Sequence, residues 1–304
     1  MPQFSLVMPV YNKEAVLAST LACVYEQTLH DYELIVVDDG STDGSLALLE
    51  REAELGRLRL LKRDAPGHGG YAARNHGALS ATGRWLVFFG AGDMLLFDHL
   101  SQFADAILAH PQLELFINAY QMMDDHQRLP KVAAPAPGVL SRQQALAALA
   151  RSDFIHLNGA CIRRERFQSL GGFPDGRYRR GGDAYFWLKA LCSLDAIHYD
   201  ATVTSLCMVH RAEGTSPAVT LQTQHPWLDV RDECETMLNR CERHYLRAAV
   251  NRKVLAWAME KRRLGQSVRG DLRCLRLTAL RPSHLYQALS LLTPVPLARL
   301  GRRS

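Results

Sequence analysis

Asp38 and Asp39 stand side by side at the end of an apolar run, Leu34-Ile35-Val36-Val37, and are followed by Gly40-Ser41-Thr42-Asp43-Gly44. Four apolar residues with β-branched character read as a buried parallel strand. Gly40 allows a sharp turn, and Ser41 or Thr42 can cap a helix that begins near Asp43. In an open α/β sheet, ligands bind outside the carboxyl ends of the strands. Two adjacent like charges cost energy unless something uses them. The pair therefore reads as a ligand-facing site, with a capped turn carrying one surface acid as the plainer alternative.

Three further positions could carry chemistry. Pro66-Gly67-His68-Gly69-Gly70 opens a helix that carries Arg74 one turn later. The loop has neither the GxGxxG nor the GxxxxGK[ST] spacing, so a dinucleotide site and a P-loop are both unsupported. It is either a phosphate-facing loop or simply a flexible one, but Arg74 is placed to reach a phosphate by charge-assisted hydrogen bonds. Asp183 follows Gly181-Gly182 at a helix start. It is either an N-cap or a carboxylate aimed from a helix N-terminus into a cleft, suited to general-base work. His210 follows a strand at 203–209 and is either a metal ligand or an ordinary histidine.

The elements that must position these residues alternate. Strands are expected over 4–10, 32–37, 58–61 and 85–89, with helices at 14–26 and 43–54 and from about residue 72 between them. Beyond them lie a helix at 97–109, a strand at 113–120, a Pro/Ala-rich loop at 131–138 and a helix at 141–151. A strand at 157–162, short helix 163–170, a helix from 181, strands at 196–199 and 203–209, and helices from 226 onward complete the chain. This spacing predicts a parallel, doubly wound α/β sheet with its strand ends on one edge.

The chain has 304 residues, enough for a sizeable core. Its seven cysteines form no CxxC pair and read as scattered reduced thiols. No signal peptide is evident at the N-terminus, and no apolar run approaches the ~18 residues of a membrane span. The net charge of +5 hides an asymmetry: residues 225–304 carry 16 Lys and Arg against 7 Asp and Glu, whereas residues 1–224 carry 20 against 24. Leu272, Leu275, Leu277, Leu280, Leu285, Leu289, Leu291 and Leu292 interleave with Lys261-Arg262-Arg263, Arg269, Arg273, Arg276, Arg281 and Arg302-Arg303. Such a segment either lies on an anionic membrane surface or packs back on the sheet with a solvated basic face. No aromatic or motif signature supports nucleic-acid binding.

Taken together, the motifs resemble the family 2 inverting glycosyltransferases with a GT-A fold, over about residues 4–216. Met8-Pro9-Val10-Tyr11-Asn12-Lys13-Glu14 is similar to the family's first-strand motif, and Val37-Asp38-Asp39-Gly40-Ser41-Thr42-Asp43-Gly44-Ser45 to its nucleotide-binding signature. Ala73-Arg74-Asn75-His76-Gly77, Ala81-Thr82-Gly83-Arg84-Trp85, Asn158-Gly159-Ala160 with Arg163-Arg164, and Gly171-Gly172-Phe173 fit its later blocks. The resemblance implies that Pro9, Tyr11, Glu14 and Asp39, with Asp38 in the same signature, hold the nucleoside of a UDP- or dTDP-type sugar. It also implies that Arg74 faces the diphosphate and that Asp183 is the catalytic base.

Two departures accompany it. The family's Asp-x-Asp-Asp motif reads Gly90-Ala91-Gly92-Asp93 here, so a divalent cation (Mg or Mn) is doubtful and would rest on Asp93, the diphosphate and His210, which matches a family ligand position. Gly182-Asp183 replaces the usual Glu-Asp. The Gln-x-x-Arg-Trp motif and membrane helices of processive synthases are missing, which implies transfer of a single sugar. The resulting expectation is a GT-A domain at 1–220 and a basic helical extension at 221–304. The enzyme would be cytoplasmic or peripheral at the inner membrane face, and would act on a glycan or lipid-linked acceptor in bacterial cell-surface polysaccharide or lipopolysaccharide synthesis. Its rival is a catalytically silent nucleotide-sugar-binding or scaffold protein.

Overall fold

The computed structural model describes residues 2–124, 127–130, 132–209 and 225–292. Its strands are β1 (Phe4–Val10), β2 (Tyr32–Asp38), β3 (Arg59–Lys62), β4 (Trp85–Phe88), β5 (Met94–Leu95), β6 (Leu115–Asp124), β7 (Gln127–Arg128), β8 (Gly138–Ser141), β9 (Ala160–Arg163) and β10 (Ala196–Met208). Its helices are α1 (Glu14–Tyr25), α2 (Ser45–Glu54), α3 (Tyr71–Ser80), α4 (His99–Ala109), α5 (Arg142–Leu149), α6 (Arg164–Ser169), α7 (Gly182–Ser193), α8 (Trp227–Cys234), α9 (Arg240–Arg263), α10 (Arg269–Arg273) and α11 (Pro282–Leu292).

The strands form one mixed sheet in the order β3-β2-β1-β4-β9-β6-β10-β5, with β7 on β6 and β8 on β10. Pairing is parallel from β3 to β4 and again between β6 and β10, whereas β9 runs antiparallel to both its neighbours. Alternate residues of each strand feed opposite layers, as a period of two requires. Phe4, Leu6, Met8, Leu34 and Val36 pack under α1, α2 and α4. Val7, Ile35, Val37, Leu86 and Phe88 pack under α3 and α7. Burial on both faces is why β2 carries only apolar residues from Leu34 to Val37.

Two expected elements take a different form. Residues 157–159 are a short 3₁₀ turn, and the strand begins only at Ala160. Gly159 approaches the neighbouring strand too closely for a side chain, since a Cβ there would lie 2.5 Å from the Asn118 carbonyl oxygen. The two strands expected at 196–199 and 203–209 are one, β10, broken only by register shifts after Asp200 and Val203. All seven cysteines are free.

The boundary expected near residue 220 falls within 210–224, outside the described residues. Beyond it, Trp227, Leu228, Val230, Leu246, Ala249 and Val254 share a core with the sheet, α5 and α7. Asn239 and Glu242 close a capping box at the start of α9. The interleaved leucines then divide. Leu272, Leu275, Leu280 and Leu291 pack around Leu255 and Ala258 of α9, while Leu277, Leu285, Tyr286, Leu289 and Leu292 face outward. No helix among the described residues is long and apolar enough to cross a membrane.

Candidate active site

Register brings the ends of β1 and β2 level: Val10 pairs with Asp38, and the Asp39 amide donates to the Val10 carbonyl at 2.7 Å. The two turns that follow are fastened to each other. Asn12, in the left-handed region at φ +50°, accepts at Oδ1 from the Thr42 amide at 2.8 Å, and its own amide donates to Ser41 Oγ at 3.1 Å. Glu14 accepts from the Gly44 amide at 2.9 Å, and the Glu14 amide donates to Asp43.

The adjacent acids go separate ways. Asp38 folds back on its own turn and accepts from the Gly40 and Ser41 amides at 3.3 and 3.2 Å. Asp39 pairs through Oδ1 with the Arg63 guanidinium and accepts at Oδ2 from the Gly67 amide at 3.0 Å. Opposite charge and hydrogen bonds thus relieve the like-charge contact, and the Asp39 carboxylate anchors the glycine-rich loop. Arg63 carries no motif signal and went unnoticed in the sequence.

Pro9, Tyr11, Asp39 and Arg74 line one cleft of about 360 Å³, with the Gly67–Gly70 loop on one side and Gly90 on the other. Glu14 opens instead into a neighbouring hollow with Asp43. Arg74 donates through Nη1 to the Gly69 carbonyl at 2.7 Å, while its Nε is buried with no partner among the described residues. Burial lowers its pKa, and the charges of Asp183, Tyr71, Asp93 and Asp39 oppose that shift. The guanidinium thus sits in the field of carboxylates from three separate segments, Asp39, Asp93 and Asp183.

Asp93 and Asp183 act on Arg74 through their charges. Asp93 accepts from the Met208 amide at 2.9 Å, which ties the β4 turn to the end of β10. Its charge, after burial, helps push the Cys207 thiol up to about 12. Gly181 is the N-cap of α7, and Asp183 is a first-turn residue whose carboxylate accepts no hydrogen bond among the described residues. His156, also missed in the sequence, lies in the same field. Its Nε2 is 3.3 Å from Cys207 Sγ and its ring is 4.7 Å from that of Tyr120. Burial lowers its pKa against the charges of Asp93 and Asp183.

The glycines of the β4 turn are dictated locally. A Cβ on Gly90 would lie 2.7 Å from Asp93 Oδ2, and Gly92 adopts φ +110°. Restoring acids at both positions would therefore strain the turn rather than simply rebuild a ligand pair. Among the described residues, no group of three or more His, Cys, Asp or Glu could hold a metal ion. Asp93 offers one carboxylate with Oδ1 already engaged, so a Mg-type cation held there would draw its remaining oxygen ligands from the donor diphosphate and water. His210 lies outside the described residues.

The model of glycosyl transferase family 2 matches residues 5–165. The chain belongs to glycosyl transferase family 2. Within the family, a "PGL/p-HBAD biosynthesis glycosyltransferase" of Mycobacterium bovis is 40% identical over 116 residues, 38% of this chain and 45% of that one. The "O-antigen biosynthesis protein RfbC" of Myxococcus xanthus is 33% identical over 179 residues, 58% of this chain and 13% of that one. The chain thus matches under half the length of these relatives. In fold it is similar to TarS 1-349 of S. aureus solved with UDP, at a TM-score of 0.71 and 17% identity over 96% of this chain and 88% of that one. A mannosyltransferase of Pyrobaculum calidifontis, solved with GDP-Man and Mn²⁺, aligns at a TM-score of 0.52 and 19% identity over 98% of this chain and 78% of that one. These likenesses show the expected GT-A fold.

Proposed function

We propose that this family 2 member is an inverting glycosyltransferase. It moves one sugar from a UDP- or dTDP-type donor to a glycan or lipid-linked acceptor in bacterial cell-surface polysaccharide or lipopolysaccharide synthesis. The observation that carries the reading is the position of Arg74, which lines one cleft at the strand ends with Asp39 and lies in the field of Asp183, whose carboxylate accepts no hydrogen bond among the described residues. Pro9 and Tyr11 flank the nucleoside, and Asp39 accepts from its base. Arg74 neutralises charge on the departing diphosphate. Asp183 takes the acceptor proton as its oxygen attacks the anomeric carbon from the face opposite the leaving group. The names of the relatives, PGL/p-HBAD and O-antigen biosynthesis, support an acceptor in surface-glycan chemistry. The test is release of free nucleoside diphosphate from UDP- and dTDP-sugars with candidate acceptors. The glycines at 90 and 92 favour a second reading, a silent nucleotide-sugar binder, which predicts binding with no release.

Asp39→Ala is expected to weaken UDP or dTDP binding by about 1–3 kcal/mol, the loss for a charge-assisted bond. Calorimetry that finds unchanged affinity in a folded variant would end the assignment of Asp39 to the base. The variant also releases Arg63 and Gly67, so a longer-range loosening of the glycine-rich loop belongs to the same effect.

The outward leucines extend the reading to location, at the inner face of an anionic membrane. On α11, Leu285, Tyr286, Leu289 and Leu292 are 49%, 77%, 63% and 68% exposed, and they fall on one helical stripe. Arg263, Arg269, Arg273 and Arg276 are exposed on the preceding segment. Leucine and tyrosine would enter the acyl boundary while each arginine near the surface adds on the order of 1 kcal/mol, screened by salt. Co-sedimentation with anionic liposomes is expected to fall when Arg269, Arg273 and Arg276 become Glu, and to fall again at high salt. Equal pelleting with neutral and anionic liposomes would refute the electrostatic part.

A further inference from the structure

Tyr71 is the first residue of α3, and its ring fills the gap between the glycine-rich loop and the start of α7. The Gly182 amide donates to its hydroxyl at 2.8 Å. Gly181, the N-cap of α7, has no side chain, so one of the orphan amides of that helix is satisfied from another element. The fit is also steric. A Cβ on Gly182 would lie 2.8 Å from both Cε2 and Cζ of Tyr71 and 3.1 Å from Pro174. A Cβ on Gly69 would meet the same edge of the ring, Cζ, Cε2 and the hydroxyl oxygen, at 2.5 to 2.8 Å. Glycine at 182 is thus a matter of space, and the ring accounts for the loss of the acidic neighbour that the family pattern places before Asp183.

Two side chains of one α3 turn therefore face the first turn of α7. Tyr71 is bonded to its backbone, and Arg74, three residues on, shares an electrostatic field with Asp183. We propose that Tyr71 is a positioning residue that fixes the spacing between Arg74 and Asp183 by locking the two helix starts together. The proposal rests on the donor and base roles given to those two residues above. In an in-line displacement the base and the clamp on the leaving group stand at opposite ends of the reacting line, and a misplacement of about 1 Å can cost on the order of 10²-fold. Burial, then the charge of Asp183, pushes the Tyr71 phenol up to about 12. It keeps its proton at working pH and does not compete as a base.

Tyr71→Phe keeps the ring and removes only the oxygen. It is expected to lower kcat about tenfold while the donor Kd stays within twofold, and to speed amide hydrogen exchange in a peptide spanning 181–184. Gly182→Ala is expected to lower Tm in the wild-type background but to add little further loss to Tyr71→Ala, because the colliding ring is gone. Wild-type kcat and unchanged exchange in Tyr71→Phe would overturn the proposal. So would parallel loss of kcat and donor affinity, which is the mark of a general structural role, or additive effects of Gly182→Ala and Tyr71→Ala on Tm. If the wild type transfers no sugar, the glycosyltransferase reading fails by itself, and with it the catalytic sense of this proposal. The exchange and melting measurements still report on the lock separately.

Discussion

Asp183→Asn is expected to reduce sugar transfer by about 10²–10⁴-fold, with donor affinity and melting temperature close to wild type. A sugar hydroxyl is a poor nucleophile until its proton has somewhere to go, and a positioned carboxylate typically supplies a factor of that size. Asn preserves the size of the side chain. It also leaves the helix start intact, because Gly181 is the cap and the Asp183 carboxylate makes no hydrogen bond among the described residues. The loss therefore belongs to proton transfer rather than to folding. Initial rates of nucleoside diphosphate release, calorimetric donor binding and a thermal melt on the same preparations separate these quantities. Wild-type turnover in a folded Asp183→Asn protein would remove Asp183 as the base. His156 is near the same charges, but its lowered pKa comes from burial beside Cys207 and Tyr120.

Arg74→Met is expected to lower kcat by about 10²–10³-fold, the scale seen when one preorganised group that meets developing charge is removed. The guanidinium has a buried Nε without a partner among the described residues, and three carboxylates lie within its field. Methionine keeps much of the length and the apolar stem but supplies neither charge nor donors. If Arg74 stands in for part of what a cation does on the leaving diphosphate, wild-type turnover should persist in EDTA, and added Mn²⁺ should not restore Arg74→Met. Turnover abolished by EDTA and recovered with Mn²⁺ would instead place the neutralising charge on a bound cation. In the same assay Asp93→Asn reports whether that carboxylate contributes to the metal response or only ties the β4 turn to Met208.

Much of the scaffold was legible because its signals are local. A run buried on both faces has to be apolar at every position, so β2 and its end at Asp38 could be read directly. Alternating strand and helix patterns placed Asp39, Arg74 and Asp93 on one edge of the sheet; Asp39 and Arg74 line one cleft there, and Asp93 lies in the field of Arg74. The motif glycines marked the turns. Local pattern also suggested one amphipathic tail, where packing on α9 turned half its leucines inward.

What only the tertiary structure decided is which atoms meet. Asp39 is held by Arg63, 24 residues away, and Gly182 by Tyr71, 111 residues away. Neither partner lies in a spacing that a helix or strand period would expose. The sequence left Asp183 as a candidate cap, and the structure gives that position to Gly181. The glycines at 90 and 182 looked like lost acids, but each lies against a side chain, Asp93 or Tyr71, that would have to shift to admit a Cβ. Periodicity tells which face a residue takes along its own element. Contact between elements depends on how those elements cross, and that is set by packing of the whole core rather than by any stretch of the chain.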